Sequence, residues 1–181
     1  MKDQSEQAFW DGSEKMKRRA WAEAAEDFQR AEQLGYRSAL LPLNLGEALV
    51  KSGQLDKAVL AYERMVEDDP YMWGQSGRAY PHYFLGAALA CAGRHLDALK
   101  HLEESLRMRP QLVEAQGALA VVLASLGRHE ESKRAFERAL ALLPSYLERW
   151  PVAFEGDFFF TIDDIRKVYD DVLRRCQEDA R

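Results

Sequence analysis

Three stretches of the chain run eighteen residues from a glycine to a proline: GQLDKAVLAYERMVEDDP from Gly53 to Pro70, GRHLDALKHLEESLRMRP from Gly93 to Pro110, and GRHEESKRAFERALALLP from Gly127 to Pro144. Their glycines stand 40 and then 34 residues apart. A recurring period of this size marks a stacked array of one supersecondary unit, because a single unit cannot bury its own apolar face and needs a neighbour to cover it. The chain is therefore constrained to repeat a shape.

The shape is a helix hairpin. In LGAALACAGRHLDALKHLEESLRMRP, Leu85, Leu89 and Ala92 follow helical spacing up to Gly93, which takes the left-handed conformation after a helix without a Cβ penalty. Ala98, Leu102 and Leu106 then mark a second helix, and Pro110 offers no N–H to extend it. Small residues stand where paired helices must approach: Gly46, Gly86 and Ala120 in first helices, Ala58, Ala98 and Ser132 in second helices.

These residues resemble the tetratricopeptide repeat (TPR), a 34-residue helix-turn-helix unit with a Leu-Gly, Tyr, Ala, Phe, Pro signature. LGEALVKSGQLDKAVLAYERMVEDDP carries Leu45, Gly46, Leu49, Gly53, Ala58, Tyr62 and Pro70 at the family's offsets, and the next two units repeat it with Leu85/Gly86 and Leu119/Ala120. The resemblance implies an all-α, TPR-like α-solenoid, a single domain over 1–181 with repeats at 39–72, 79–112 and 113–146. A degenerate unit at 5–38 precedes them, with Gly12, Ala24, Phe28 and Ala31 in register but Arg19 in place of the turn glycine and Tyr36 in place of the proline.

The interval of 40 is one repeat plus six residues, read as an inter-repeat insertion at 73–78 within YMWGQSGR, since Gly74 and Gly77 weaken helix and Pro81 suits the first turn of a helix starting near Ala79. Trp73 is expected to pack back on the second hairpin. Residues 147–181 read as an aromatic loop, with Trp150, Phe154, Phe158, Phe159 and Phe160, followed by a C-terminal capping helix with Thr161 as its N-cap. That helix is expected to cover the open end of the last repeat.

Such arrays bind in the concave groove lined by their first helices. The positions that face it carry Phe9, Trp10, Leu43, Asn44, Glu47, Tyr80, Tyr83, Phe84, Ala87 and Val121, with Gly117 and Ala118 leaving space beside them. A row of bulky apolar side chains suits a partner peptide or helix with apolar anchors, and roughly half of the aromatic rings are expected to pack as core instead. The resemblance implies an adaptor, scaffold or assembly factor. A dedicated cytoplasmic chaperone of secretion-system translocators and a structural homo-oligomer of stacked solenoids are the alternative readings.

Other classes are disfavoured by composition and motif. With 25 basic against 30 acidic residues and no long block of either sign, the chain lacks a nucleic-acid footprint. The first nineteen residues hold no secretory apolar region, and the apolar run Ala118 to Ala124 falls far short of the ~18 residues that span a bilayer. Cys91 and Cys176 read as buried thiols of a reducing compartment, so a cytoplasmic location is expected. The histidines, His82, His95, His101 and His129, show no metal-ligand spacing, and no HExxH, phosphate loop, GxSxG or CxxC occurs, so neither cofactor nor catalysis is expected.

Some TPR proteins clamp the C-terminal carboxylate of a heat-shock chaperone with basic and amide side chains. Of those positions only Asn44 matches here; the others hold Phe9, Ser13, Tyr80 and Phe84, which cannot pair with a carboxylate. A C-terminal acidic peptide of the heat-shock type is therefore expected to show no saturable binding at micromolar concentration by calorimetry. Tight binding would contradict the apolar reading of the groove.

Overall fold

The computed structural model describes residues 3–67 and 78–149, together with Val172, Arg174 and Cys176. Among these residues the chain is all helix and divides into two units, 1–77 and 78–181. The first holds α1 (Gln4–Lys17), α2 (Trp21–Gln33), α3 (Leu40–Lys51) and α4 (Leu55–Glu67). The second holds α5 (Ala79–Cys91), α6 (His95–Met108), α7 (Val113–Ser125) and α8 (His129–Arg149). Each consecutive odd and even pair packs as an antiparallel hairpin. The insertion with Trp73 and the aromatic loop lie outside the described residues.

The turns repeat one hydrogen-bond pattern. Gly53, Gly93 and Gly127 adopt φ of 78°, 76° and 74°, and the N–H of the residue after each donates to a carbonyl five residues back: Gln54 to Leu49, Arg94 to Leu89 and Arg128 to Leu123. This closes the orphan carbonyls of the preceding helix. The degenerate first hairpin makes the same turn with Arg19 at φ 59°, the N–H of Ala20 donating to Lys15. An arginine is thus held in the left-handed region where the repeat elsewhere uses glycine. Where that repeat lacks a proline, Gly35 ends α2 by the same pattern, Tyr36 N–H donating to Ala31.

The paired helices interlock through missing side chains. A methyl group on Gly12 would lie 2.9 Å from Phe28, one on Gly86 2.8 Å from Leu102, and one on Gly46 would fall on the Tyr62 ring. Ala24, Ala58 and Ala98, in the second helix of each of these hairpins, have no exposed surface. In the last hairpin Ala120 takes the glycine's place, and buried Ser132 opposite donates its hydroxyl to the Ala120 carbonyl at 2.7 Å. Ser105 of α6 makes an equivalent buried bond to the Ala79 carbonyl at the start of α5.

Two expectations change. Pro110 sits just beyond α6, but α8 continues through Pro144 to Arg149: a proline removes one ladder bond and keeps helical φ, so it need not end a helix. Cys91, expected inside, is exposed at the C-terminal end of α5, and Cys176 is half-buried. Near the chain's end, Val172 is buried in one cluster with Ala120, Leu123, Ala135 and Phe136, with Cys176 packed against it. Residues of the tail thus cover apolar surface of α7 and α8.

Two substitutions test these constraints by denaturant melts. Replacing a helix-interior glycine by alanine ordinarily stabilises by about 1 kcal/mol, but Gly46→Ala should instead destabilise by ~1–3 kcal/mol, because the methyl overpacks against Tyr62. Arg19→Gly should stabilise by about 1 kcal/mol by relieving left-handed strain.

Candidate protein-binding surface

In the first unit the sequence-predicted positions separate by one residue's rotation about α1. Phe9 is turned inward, 3% exposed, its ring stacked on Tyr36 at 4.7 Å and tilted against Phe28 at 5.6 Å. It is core, which corrects its assignment as a binding residue. Trp10, one residue on, is 46% exposed; it meets Phe9 edge to face at 5.6 Å and its indole N–H donates to Glu6 at 3.2 Å. Leu43, Asn44 and Glu47 are half-buried along α3.

The same unit holds an open cavity of about 540 Å³ that the repeat pattern did not indicate. Tyr36, Leu41, Pro42, Leu45 and Ala61 form its apolar walls, and Arg64, paired with Glu32 at 3.0 Å, stands at its edge with Arg37. Its walls come from α2, the following loop, α3 and α4, so no single periodic stripe announces it.

In the second unit α5 divides the same way. Tyr83, 2% exposed, and Ala87, with no exposed surface, belong to the core, correcting their placement in the groove. Gly117 and Ala118, read as open space, are buried too. Tyr80 and Phe84, one helical turn apart, remain half-buried with nearly parallel rings 6.3 Å apart, and Phe84 also leans on Tyr83 at 5.0 Å. Val121 of α7 is half-buried and packs against the cluster that contains Val172.

Charge converges on this aromatic pair. Arg109, in the link between α6 and α7, donates to the Tyr80 hydroxyl at 3.3 Å and holds its guanidinium 5.4 Å from the ring centre. Glu114, in the first turn of α7, is 7% exposed. Burial, and next the Glu114 charge, push the Tyr80 hydroxyl above its ordinary pKa, with Arg109 opposing. The phenol therefore stays protonated, able to donate as well as accept. Gln116 is anchored by its amide to the Pro110 carbonyl at 3.2 Å, which fixes the link carrying Arg109. Arg109 escaped the sequence reading because it lies outside the helix stripe; its place just before Pro110 was the available signal.

The arrangement offers aromatic faces flanked by one fixed cation and one buried carboxylate, which can grip a polypeptide. Among the described residues no group of three or more His, Cys, Asp or Glu side chains could hold a metal ion. No described helix is long and apolar enough to cross a membrane.

Comparison with known proteins agrees with the helix pattern. Two family profiles, each described as tetratricopeptide repeat, match residues 12–72 and 77–145, together more than half of the chain. Among solved structures, YrrB, a TPR protein with an unusual peptide-binding site, is similar at a TM-score of 0.63 and 22% identity over 75% of this chain and 67% of its own. MamA is similar at a TM-score of 0.67 and 19% identity, covering 99% of this chain and 96% of its own, and a second MamA structure at 0.64 and 25% identity, covering 76% and 78%. A search of curated proteins gives no match. The turn pattern, the interlocked hairpins and the two profile matches make the chain a member of the tetratricopeptide-repeat family, an all-α helical-repeat family of protein-interaction modules.

Proposed function

We propose that this chain acts as an adaptor, scaffold or assembly factor by receiving a peptide or helix with bulky apolar anchors on the face that α5 and α7 present within the second unit. The observation that carries this reading is the pair Tyr80 and Phe84: two rings one turn apart, half-buried rather than core, beside the fixed charges of Arg109 and Glu114. An apolar anchor laid against the rings would lose water-exposed surface, and the two opposite charges would set the direction of the bound backbone. On the first unit, exposed Trp10 and half-buried Leu43, Asn44 and Glu47 offer a second contact region of the same character.

Peptides selected from a random display library against the full chain provide the test. Tyr80→Ala and Phe84→Ala should each weaken a selected peptide at least tenfold, about 1.4 kcal/mol, with the melting curve nearly in place. Tyr83→Ala should instead cost ~3–5 kcal/mol of stability, as removal of a buried aromatic ring does. Unchanged affinity in the Tyr80/Phe84 double variant would sink this face as the docking site.

A further inference from the structure

His82 of α5 and His101 of α6 meet through their Nδ1 atoms at 3.1 Å, while their ring centroids are 5.3 Å apart and their planes 25° from parallel. The centroid separation exceeds the nitrogen separation by nearly two ring radii. That is possible only if both nitrogens lie close to the line joining the ring centres. The rings therefore meet edge to edge, almost coplanar, and the in-plane axis of each Nδ1 points at the other. Only one hydrogen fits on that axis, so one Nδ1–H donates and the other Nδ1 accepts, which makes one ring the δ tautomer and the other the ε tautomer.

A shared metal ion does not suit this geometry. Two metal–nitrogen bonds of about 2.0–2.1 Å need a wider gap along the axis, and off the axis both lone pairs miss the ion. The charges acting on His82 are also not those of a cation site. Arg78 precedes α5, and on α6 Glu104 accepts from Nε and Nη2 of Arg107, at 2.8 and 2.6 Å. On α7, which also packs on α5, Glu114 acts on Tyr80.

We propose that His82 and His101 form a proton-limited clasp between α5 and α6, closed with no added proton or one and forced open by the second. The first added proton goes to the Nε2 of the donor ring, which lies off that axis; the ring becomes an imidazolium and keeps its Nδ1–H···Nδ1 bond, now charge-assisted. The second proton has only the accepting Nδ1 left to bind. Two hydrogens would then face each other across 3.1 Å, and the rings must part.

Burial supports the same order. It depresses the His82 pKa below 6.5, joined by the charge of His101 and those of Arg78 and Arg107, with Glu104 opposing. A base with a depressed folded pKa binds more protons when unfolded, so stability is full above 6.5 and falls as pH drops from there toward the folded value. His82 lies between Tyr80 and Phe84 on α5, so opening the clasp would loosen the helix that carries the docking rings. That last consequence rests on the function proposed above; the clasp does not.

Imidazole nitrogen NMR of the full chain, titrated from mildly alkaline to mildly acidic pH without any peptide, tests it. Expected are one δ and one ε tautomer at the alkaline end, and two protonation steps separated by more than about one pH unit, the second accompanied by a falling melting temperature. In His101→Gln the remaining His82 should titrate in a single step, and the acid-side loss of melting temperature should shrink to the part that burial of His82 alone produces. His82→Gln gives the reciprocal check on His101. Two rings of the same tautomer, or two independent steps near the ordinary value, would overturn the clasp, as would zinc chloride shifting both Nδ1 resonances of the wild-type protein together.

Discussion

Everything in this chain depends on how closely two helices of a hairpin can approach. Gly12, Gly46 and Gly86 leave no atom between their helix and the ring or leucine opposite, and those large residues fill the notch. A buried aromatic ring then contributes its full apolar burial with little void, and dispersion falls off steeply with any gap. In the last hairpin, where alanine replaces glycine, the Ser132 hydroxyl adds a directional bond to the Ala120 carbonyl. Shape and one hydrogen bond perform the same task in different repeats.

That close approach also decides which residues are left for a partner. Once α5 is drawn against α6, the rotation of α5 is set, and Tyr83 goes inside while Tyr80 and Phe84 stay half-buried. The period, the turn glycines and the small residues were legible in the sequence because each is a local requirement of backbone geometry. The division between Tyr83 and Phe84, or Phe9 and Trp10, was not. Adjacent positions on a helix differ by a fraction of a turn, and the boundary between core and surface depends on how far the neighbouring helix leans over.

Contacts between elements were less legible still. His82 and His101 stand nineteen residues apart in different helices, and no spacing rule singles them out. Arg109 reaches Tyr80 from a link whose course Gln116 holds. By contrast, charge pairs such as Arg94–Asp97, Arg107–Glu104 and Arg128–Glu131 follow from i,i+3 spacing within one helix or across its start, and their exposure makes them minor contributors to stability. The Lys15–Asp27 bridge at 2.7 Å does join α1 to α2, reinforcing the hairpin whose turn is the strained one.

The notch has a consequence for how this chain can change over evolutionary time. Gly12 faces Phe28, Gly46 faces Tyr62 and Gly86 faces Leu102, each pair separated by sixteen residues, and Ala120 shares a cluster with Phe136 at the same separation. Size at one member must be answered by size at the other, and the answer lies within the same hairpin. Substitutions should therefore be correlated at a lag of sixteen and independent between hairpins, so that one repeat can exchange its notch residues without obliging its neighbours to follow. This lets the four hairpins diverge in sequence, as glycine against tyrosine, glycine against leucine and alanine with phenylalanine already do, while all keep one turn.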